Sequence, residues 1–240
     1  MSHNNTMTET LTFPPLMQGM ATPGDPFEAA CQQATLGCDA GLVLYNLLGS
    51  EIAVAIVLAP EVRLSQSVVM LPLCAVGFQN ALGALAPPEV AVHLEWDGGI
   101  RINGASCGRF RIFAGQQDPE TEPDWLVVGF TLPMHPASDS PGDDPTNTTL
   151  FEEGCAEVAP GALVESWARH TLNWIARWES EGVAPLHAEW RGLAHGIGET
   201  TQRNGHAGTF LGIDEAFGML LRDDTTTHLI PLTTLLEDVP

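Results

Sequence analysis

The chain has 240 residues, 44% of them hydrophobic, enough to bury a sizeable core in one domain or in one main domain with a small appendage. Thirty acidic residues against nine basic ones give a formal charge of −21, and all nine basic residues are arginine, with no lysine anywhere. Phosphate binding requires Lys or Arg to neutralise it, so this balance argues against nucleic acid and against an anionic membrane as partners.

Residues 1–24 are polar, Met-rich and Pro-containing, and read as an N-terminal arm. Asp25-Pro26 supplies an N-cap with Pro at N1, opening a helix that stops near Gly37. Two apolar β-type runs, "GLVLYNLL" and "EIAVAIVLAP", follow with little more than Gly49-Ser50 between them, as a hairpin. The next run carries apolar residues at helical spacing, Val69, Leu73, Val76 and Leu82, with Pro72 near its first turn and Pro88 beyond its end. In "VAVHLEW", Val90, Val92, Leu94 and Trp96 alternate with Ala91, His93 and Glu95, the pattern of a strand with one buried face. Asp97-Gly98-Gly99 turns it, "IRIN" returns, residues 104–108 read as a second turn, and "RFRIF" alternates once more as the third strand of a meander. Residues 124–132 form a further strand, and "MHPASDSPGDDPTN" has the composition of an exposed loop. Leu163, Trp167, Trp174, Ile175 and Trp178 share one face of a long amphipathic helix ending at Gly182. From Arg191 the style changes to short β runs split by Gly and polar turns, a small β-barrel over residues 191–240 after a main domain of 25–190. Strands and helices first, then a compact all-β tail, make the class α+β.

No apolar run approaches the ~20 residues of a membrane span. The N-terminus lacks a basic stretch followed by an apolar core, so no secretory signal is read and a cytoplasmic location is expected. Five cysteines, Cys31, Cys38, Cys74, Cys107 and Cys155, have no metal-type spacing and are expected as reduced thiols, most of them core filler.

Several motifs carry chemistry on paper. Gly104-Ala105-Ser106-Cys107-Gly108 matches the G-x-S-x-G pattern of serine hydrolases, with Asp214 and His228 available to complete a triad. A nucleophile elbow must open a helix, however, and "RFRIF" has strand periodicity. A Walker loop is impossible without lysine, and "GIGETT" lacks the third glycine of a dinucleotide turn. His187, His195 and His206 are too scattered to read as a metal site, so none is expected.

The order of parts resembles the biotin/lipoate protein ligase family. "HLEWDGG" sits where biotin protein ligases carry Lys-Trp-Pro-Asn-Asp, and "INGASCGRFRIF" resembles their following hairpin with Lys-Leu-(Ala/Cys)-Gly. "WLVVGFTL" resembles Val-Ile-Gly-Ile-Gly-Ile-Asn, residues 147–155 resemble the opening of the next helix, and "ESEGVAPLHAEW" resembles the segment before the last domain. "GTFLGIDEAFGMLL" resembles the core of the small SH3-like barrel. The resemblance implies a mixed β-sheet with packing helices followed by that barrel. It also implies ligand-binding positions at Trp96, Asp97, Gly104, Ser106, Gly108 and Gly129.

Family members adenylate biotin or lipoate with ATP and pass the acyl group to a lysine of a carrier domain, so ATP with Mg, biotin or lipoate, and a carrier protein are implied only if ligase activity is retained. The residues that would carry the activity have changed. The hairpin lysine falls at Ser106, or Ala105 with a one-residue gap. The other lysine is Glu95, Pro-Asn-Asp is Asp97-Gly98-Gly99, and the asparagine of the Gly-Ile-Asn strand is Pro133 or Leu132. The Arg-rich adenylate loop is replaced by "YNLLGSEIAV", which has no arginine. Each cation lost opposite an anionic transition state costs several kcal/mol, about a thousandfold. Arginines from elsewhere, Arg63, Arg101, Arg109 or Arg111, are the candidates to swing in and rebuild a positive pocket. Octanoyltransferases of the same fold work through a cysteine thioester, which singles out Cys107 with His93 as its base, unless Cys107 is the small residue that ligases themselves have before the glycine. Three readings stand: an altered ligase or acyltransferase, a non-catalytic module binding a small carboxylate, acyl group or partner, and a hydrolase.

Overall fold

A computed structural model describes residues 11–136 and 146–240. Among them, seven strands form one mixed sheet in the order β1-β2-β3-β7-β6-β5-β4. These are β1 (Gln18–Ala21), β2 (Leu42–Asn46), β3 (Glu51–Leu58), β4 (Val92–Leu94), β5 (Gly99–Ile102), β6 (Ala105–Ala114) and β7 (Leu126–Pro133). Only the β1–β2 pair is parallel. β3 and β7 sit at the centre, and their near-continuous runs of Val, Ile, Leu and Ala are buried on both faces.

One face is closed by helices α3 (Met70–Gly83) and α4 (Pro160–Glu181). Phe78, Phe110 and Phe130 interlock there with centroids 5.0–6.0 Å apart. Trp167 meets Phe130 edge-on at 5.3 Å and donates its indole N–H to the Cys74 carbonyl at 3.0 Å. An aromatic fully buried in this way contributes about 3 kcal/mol. Pro72 lies in the first turn of α3, where a missing N–H has no helical partner to lose.

The opposite face is covered at one end by α1 (Pro26–Thr35), whose Phe27, Ala30 and Ala34 pack on Leu44, Val57, Phe113 and Val127. Asp25 caps this helix through Phe27 N at 2.8 Å. The rest of that face is open, which is what positions the site.

The chain departs from its sequence reading in two places here. Residues 11–24 are not an arm: Leu11 and Met17 are buried, and β1 is an edge strand held by backbone bonds such as Thr22 N to Tyr45 O at 2.9 Å. Its four residues are all exposed, so no alternation betrays it. Residues 1–10 of the expected arm, and 137–145 of the expected loop, lie outside the described residues. A further helix, α5 (Ala184–Leu193), occupies the "PLHAEW" stretch. It buries only Leu186 and Trp190, a pattern too sparse to read.

A short helix α2 (Leu64–Ser67) precedes α3. The tail builds a four-stranded antiparallel sheet, β8 (Thr200–Arg203), β9 (His206–Ile213), β10 (Met219–Arg222) and β11 (Thr227–Ile230), the small SH3-like unit of the fold. It is tied to the large sheet by Trp96 Nε1 donating to Phe217 O at 2.7 Å and Glu237 N donating to Ile112 O at 3.0 Å. Phe217 adopts a positive φ of 63° with its ring against His187 and Trp190. Among the described residues no helix is long and apolar enough to cross a membrane.

Candidate functional site

The hairpin that opens the site turns on two residues. Asn103 and Gly104, at φ 50° and 94°, connect β5 to β6 directly. Asn-Gly is the strongest short hairpin signal, because both central residues must accept positive φ. The second turn expected over residues 104–108 is thus corrected: β6 already runs from Ala105, and Ser106 lies in strand rather than on an elbow.

Gly108 then breaks the alternation. Its φ is +116°, and a Cβ there would overlap the Thr131 carbonyl oxygen. Arg101 pairs with Ser106 but Gly99 pairs with Arg109, so β6 carries one extra residue, a bulge. The bulge re-phases the strand. Cys107, Phe110 and Ile112 point into the core, while Ser106, Arg109 and Arg111 share the open face.

That face holds a cleft of about 440 Å³ lined chiefly by Glu51, Glu95, Asp97, Ser106, Arg109 and Thr131. It adjoins a second hollow of about 370 Å³ between Arg109, Arg111 and Glu237. Most of the charges are paired. Arg101 Nε lies 2.6 Å from Glu95 Oε1, and Arg203 Nη2 lies 2.8 Å from Asp97 Oδ2. Arg111 donates twice to Glu237 Oε2, at 2.9 and 2.8 Å, with its guanidinium against the rings of Phe27 and Phe113, 4.7 and 4.9 Å from their centroids. Arg109 differs. Among the described residues its side chain makes one polar contact, a long 3.3 Å bond to the backbone carbonyl of Asp97, and has no carboxylate partner. Glu51 likewise has no cation among the described residues.

Of the positions singled out by resemblance, Asp97, Ser106 and Gly108 line the cleft. Gly129 lies on the same face between Arg111 and Ala55. Gly104 sits at the hairpin tip, its carbonyl accepting from Arg101 Nη1 at 2.7 Å. Trp96 is turned away, buried and bonded to Phe217.

Cys107 is fully buried on the core face. Burial pushes its thiol up to about 12, with Glu153, Cys155 and Glu152 adding to the shift. His93 pairs across the strands with Arg101 and so belongs to the other face. Thiol and imidazole therefore stand on opposite sides of the sheet, and no thiolate is poised at the surface.

The hydrolase trio is not assembled either. Asp214 accepts from Ala216 N and Gly218 N of its own turn, and His228 pairs with Asp223 at 2.7 Å. The scattered histidines stay scattered: His187 contacts Asp214 O, His195 lies 3.9 Å from Glu95, and His206 stacks on His228 at 4.0 Å. Arg63 pairs with Glu120 at the surface.

The sequence reading missed Glu51, Arg203 and Glu237. Arg109 and Arg111 were legible as sharing a face, because they alternate with Phe110 and Ile112.

The profile of the Biotin/lipoate A/B protein ligase family matches residues 13–192. A second profile, described as a domain of unknown function (DUF4444), matches residues 197–238. Among solved structures, a biotin protein ligase-like protein of unknown function from Silicibacter sp. TM1040 is 61% identical, with a TM-score of 0.91 over 95% of this chain and 100% of that one. The biotin protein ligase of Aquifex aeolicus superposes with a TM-score of 0.70 at 14% identity, over 91% of this chain and 96% of its own. That of Leishmania major, in complex with biotinyl-5-AMP, gives 0.56 at 15% identity over 90% and 99%. These last two likenesses are of fold alone. No curated protein matches the chain.

Proposed function

Because the chain belongs to the biotin/lipoate A/B protein ligase family, we propose that it holds a small carboxylate in the open-face cleft under Arg109 and does not adenylate it. The observation that carries this is the state of Arg109: a guanidinium facing a cavity with no carboxylate of its own among the described residues. A guanidinium is a planar fork of donors matched to one carboxylate.

The same cleft suits a nucleotide triphosphate poorly. Glu51, Glu95 and Asp97 line it, and two of these already engage the neighbouring arginines. A carboxylate about 4 Å from a phosphate oxygen, at an effective dielectric near 20, opposes it by about 4 kcal/mol per charge pair. With the family's hairpin lysine replaced by Ser106, Arg109 is the one lining cation without a carboxylate partner among the described residues, enough for a single carboxylate and too little for the several charges of a triphosphate. ATP and Mg are therefore assigned no step. Cys107 is assigned none either, since a buried thiol pushed up to about 12 supplies no nucleophile near neutral pH.

The test is titration calorimetry of the full chain with biotin, lipoate and octanoate, alongside an assay for acyl-AMP from labelled ATP. At least one carboxylate is expected to bind, with binding lost in Arg109→Ala, and no acyl-AMP is expected. Accumulation of an acyl-adenylate would overturn the non-adenylating half of the proposal, and silence with all three acids would overturn the other half.

A further inference from the structure

We propose that the ligand of this cleft is a zwitterion, an ω-amino carboxylate whose carboxylate meets Arg109 and whose ammonium meets Glu51; this rests on the carboxylate reading above.

The inference starts from which charges are already neutralised. Glu95 is held by Arg101, Asp97 by Arg203, and Arg111 by Glu237. Two charged groups lining the cleft are left without an ionic partner among the described residues, Arg109 and Glu51, and they have opposite signs. A plain carboxylate would satisfy the first and lay its apolar tail against the second, desolvating a carboxylate with nothing in return. A ligand with an amine at the far end satisfies both.

The register bounds the length. Arg109 lies across from Thr131 on β7, and Thr131 lies across from Ala53 on β3. Glu51 is two residues further along β3, opposite Pro133. Two strand spacings of ~4.8 Å and two residues of ~3.4 Å put the Cα atoms of Arg109 and Glu51 about 12 Å apart. The two side chains take up part of that span and leave their charged ends beyond ion-pair distance, a gap that a flexible chain of a few methylenes with a charge at each end can cross. Between the two ends the floor is Gly108, Thr131 and Pro133, with the Ser106 hydroxyl beside it. Long-range electrostatics point the same way. A chain of net charge −21 repels a free monoanion on approach, and a ligand of zero net charge avoids that cost.

The experiment compares three probes of one length, valerate, δ-aminovalerate and its N-acetyl form, by ligand-observed NMR titration of the full chain and of Glu51→Gln. Glu51 is exposed at a strand end, so the substitution leaves the fold in place. The proposal expects δ-aminovalerate to bind roughly tenfold tighter than the other two, and this preference to vanish in Glu51→Gln while valerate binding holds or improves. Equal binding of all three would overturn the zwitterion and leave the carboxylate reading standing. No binding of any probe would overturn the zwitterion, and the titrations with biotin, lipoate and octanoate would then decide the carboxylate reading. A preference that survives Glu51→Gln would overturn the assignment of the ammonium to Glu51.

Discussion

The two faces of the large sheet are built on different principles. On one, Phe78, Phe110, Phe130 and Trp167 pack edge to face under α3 and α4, and even the cysteine next to the bulge is filled in among them. On the other, arginines and carboxylates pair along β5 and β6 in a cleft open to water. The first face carries the folding energy, because it removes large apolar surfaces from water. The second contributes little, since part-exposed ion pairs are each worth about 1 kcal/mol or less. A sheet organised like this can exchange the chemistry of its open face without endangering its fold, which fits a chain that keeps the ligase architecture without a single lysine.

The sharpest way to break the contrast is to truncate one side chain on each face. Trp167→Ala should destabilise the protein by about 3–5 kcal/mol in urea or guanidinium unfolding. Arg109→Ala should stay within about 0.5 kcal/mol while abolishing carboxylate binding. Comparable losses from both would mean that the open face is structural after all.

Alkylation followed by mass spectrometry gives the next largest effect. With its thiol pushed up to about 12, Cys107 should react with iodoacetamide at pH 8 about a thousandfold more slowly in the folded chain than in the unfolded one. The rate in the native protein should climb about tenfold per pH unit. The sign for stability follows: the unfolded state loses its thiol protons first, so stability should fall as pH rises above the ordinary value of 9.0 toward 12. Fast labelling at neutral pH would move Cys107 to the accessible side.

Gly108→Ala should cost about 1–3 kcal/mol, because it forces a Cβ into the left-handed region against the Thr131 carbonyl. It should also weaken ligand binding by displacing Arg109. A neutral result would show that β6 tolerates a different phase. Arg203→Ala should cost about 0.5–1 kcal/mol in denaturant unfolding, since its pair with Asp97 is partly exposed.

How much of this was legible follows the same division. Apolar runs revealed β2, β3 and β7, and the tryptophan spacing revealed α4, because burial leaves a periodic trace. β1 left none, being an exposed edge held by its backbone. At the site, the alternation of Arg109 and Arg111 with Phe110 and Ile112 was visible, but the bulge hid behind a five-letter pattern that looked like an active-site turn. The charge balance of the cleft was not visible at all. It depends on partners 106 and 126 residues away, Arg203 for Asp97 and Glu237 for Arg111, and no local rule predicts such pairings.

Those two distant pairs have an electrostatic corollary. The tail lends the cleft one positive and one negative group, so cutting it away would leave the net charge unchanged while stripping Asp97 of its arginine and leaving Arg111 with only its 3.9 Å pair to Asp25. A chain shortened before residue 197 would keep its cleft walls and present a different potential, with Arg111 competing against Arg109 for any acid that enters.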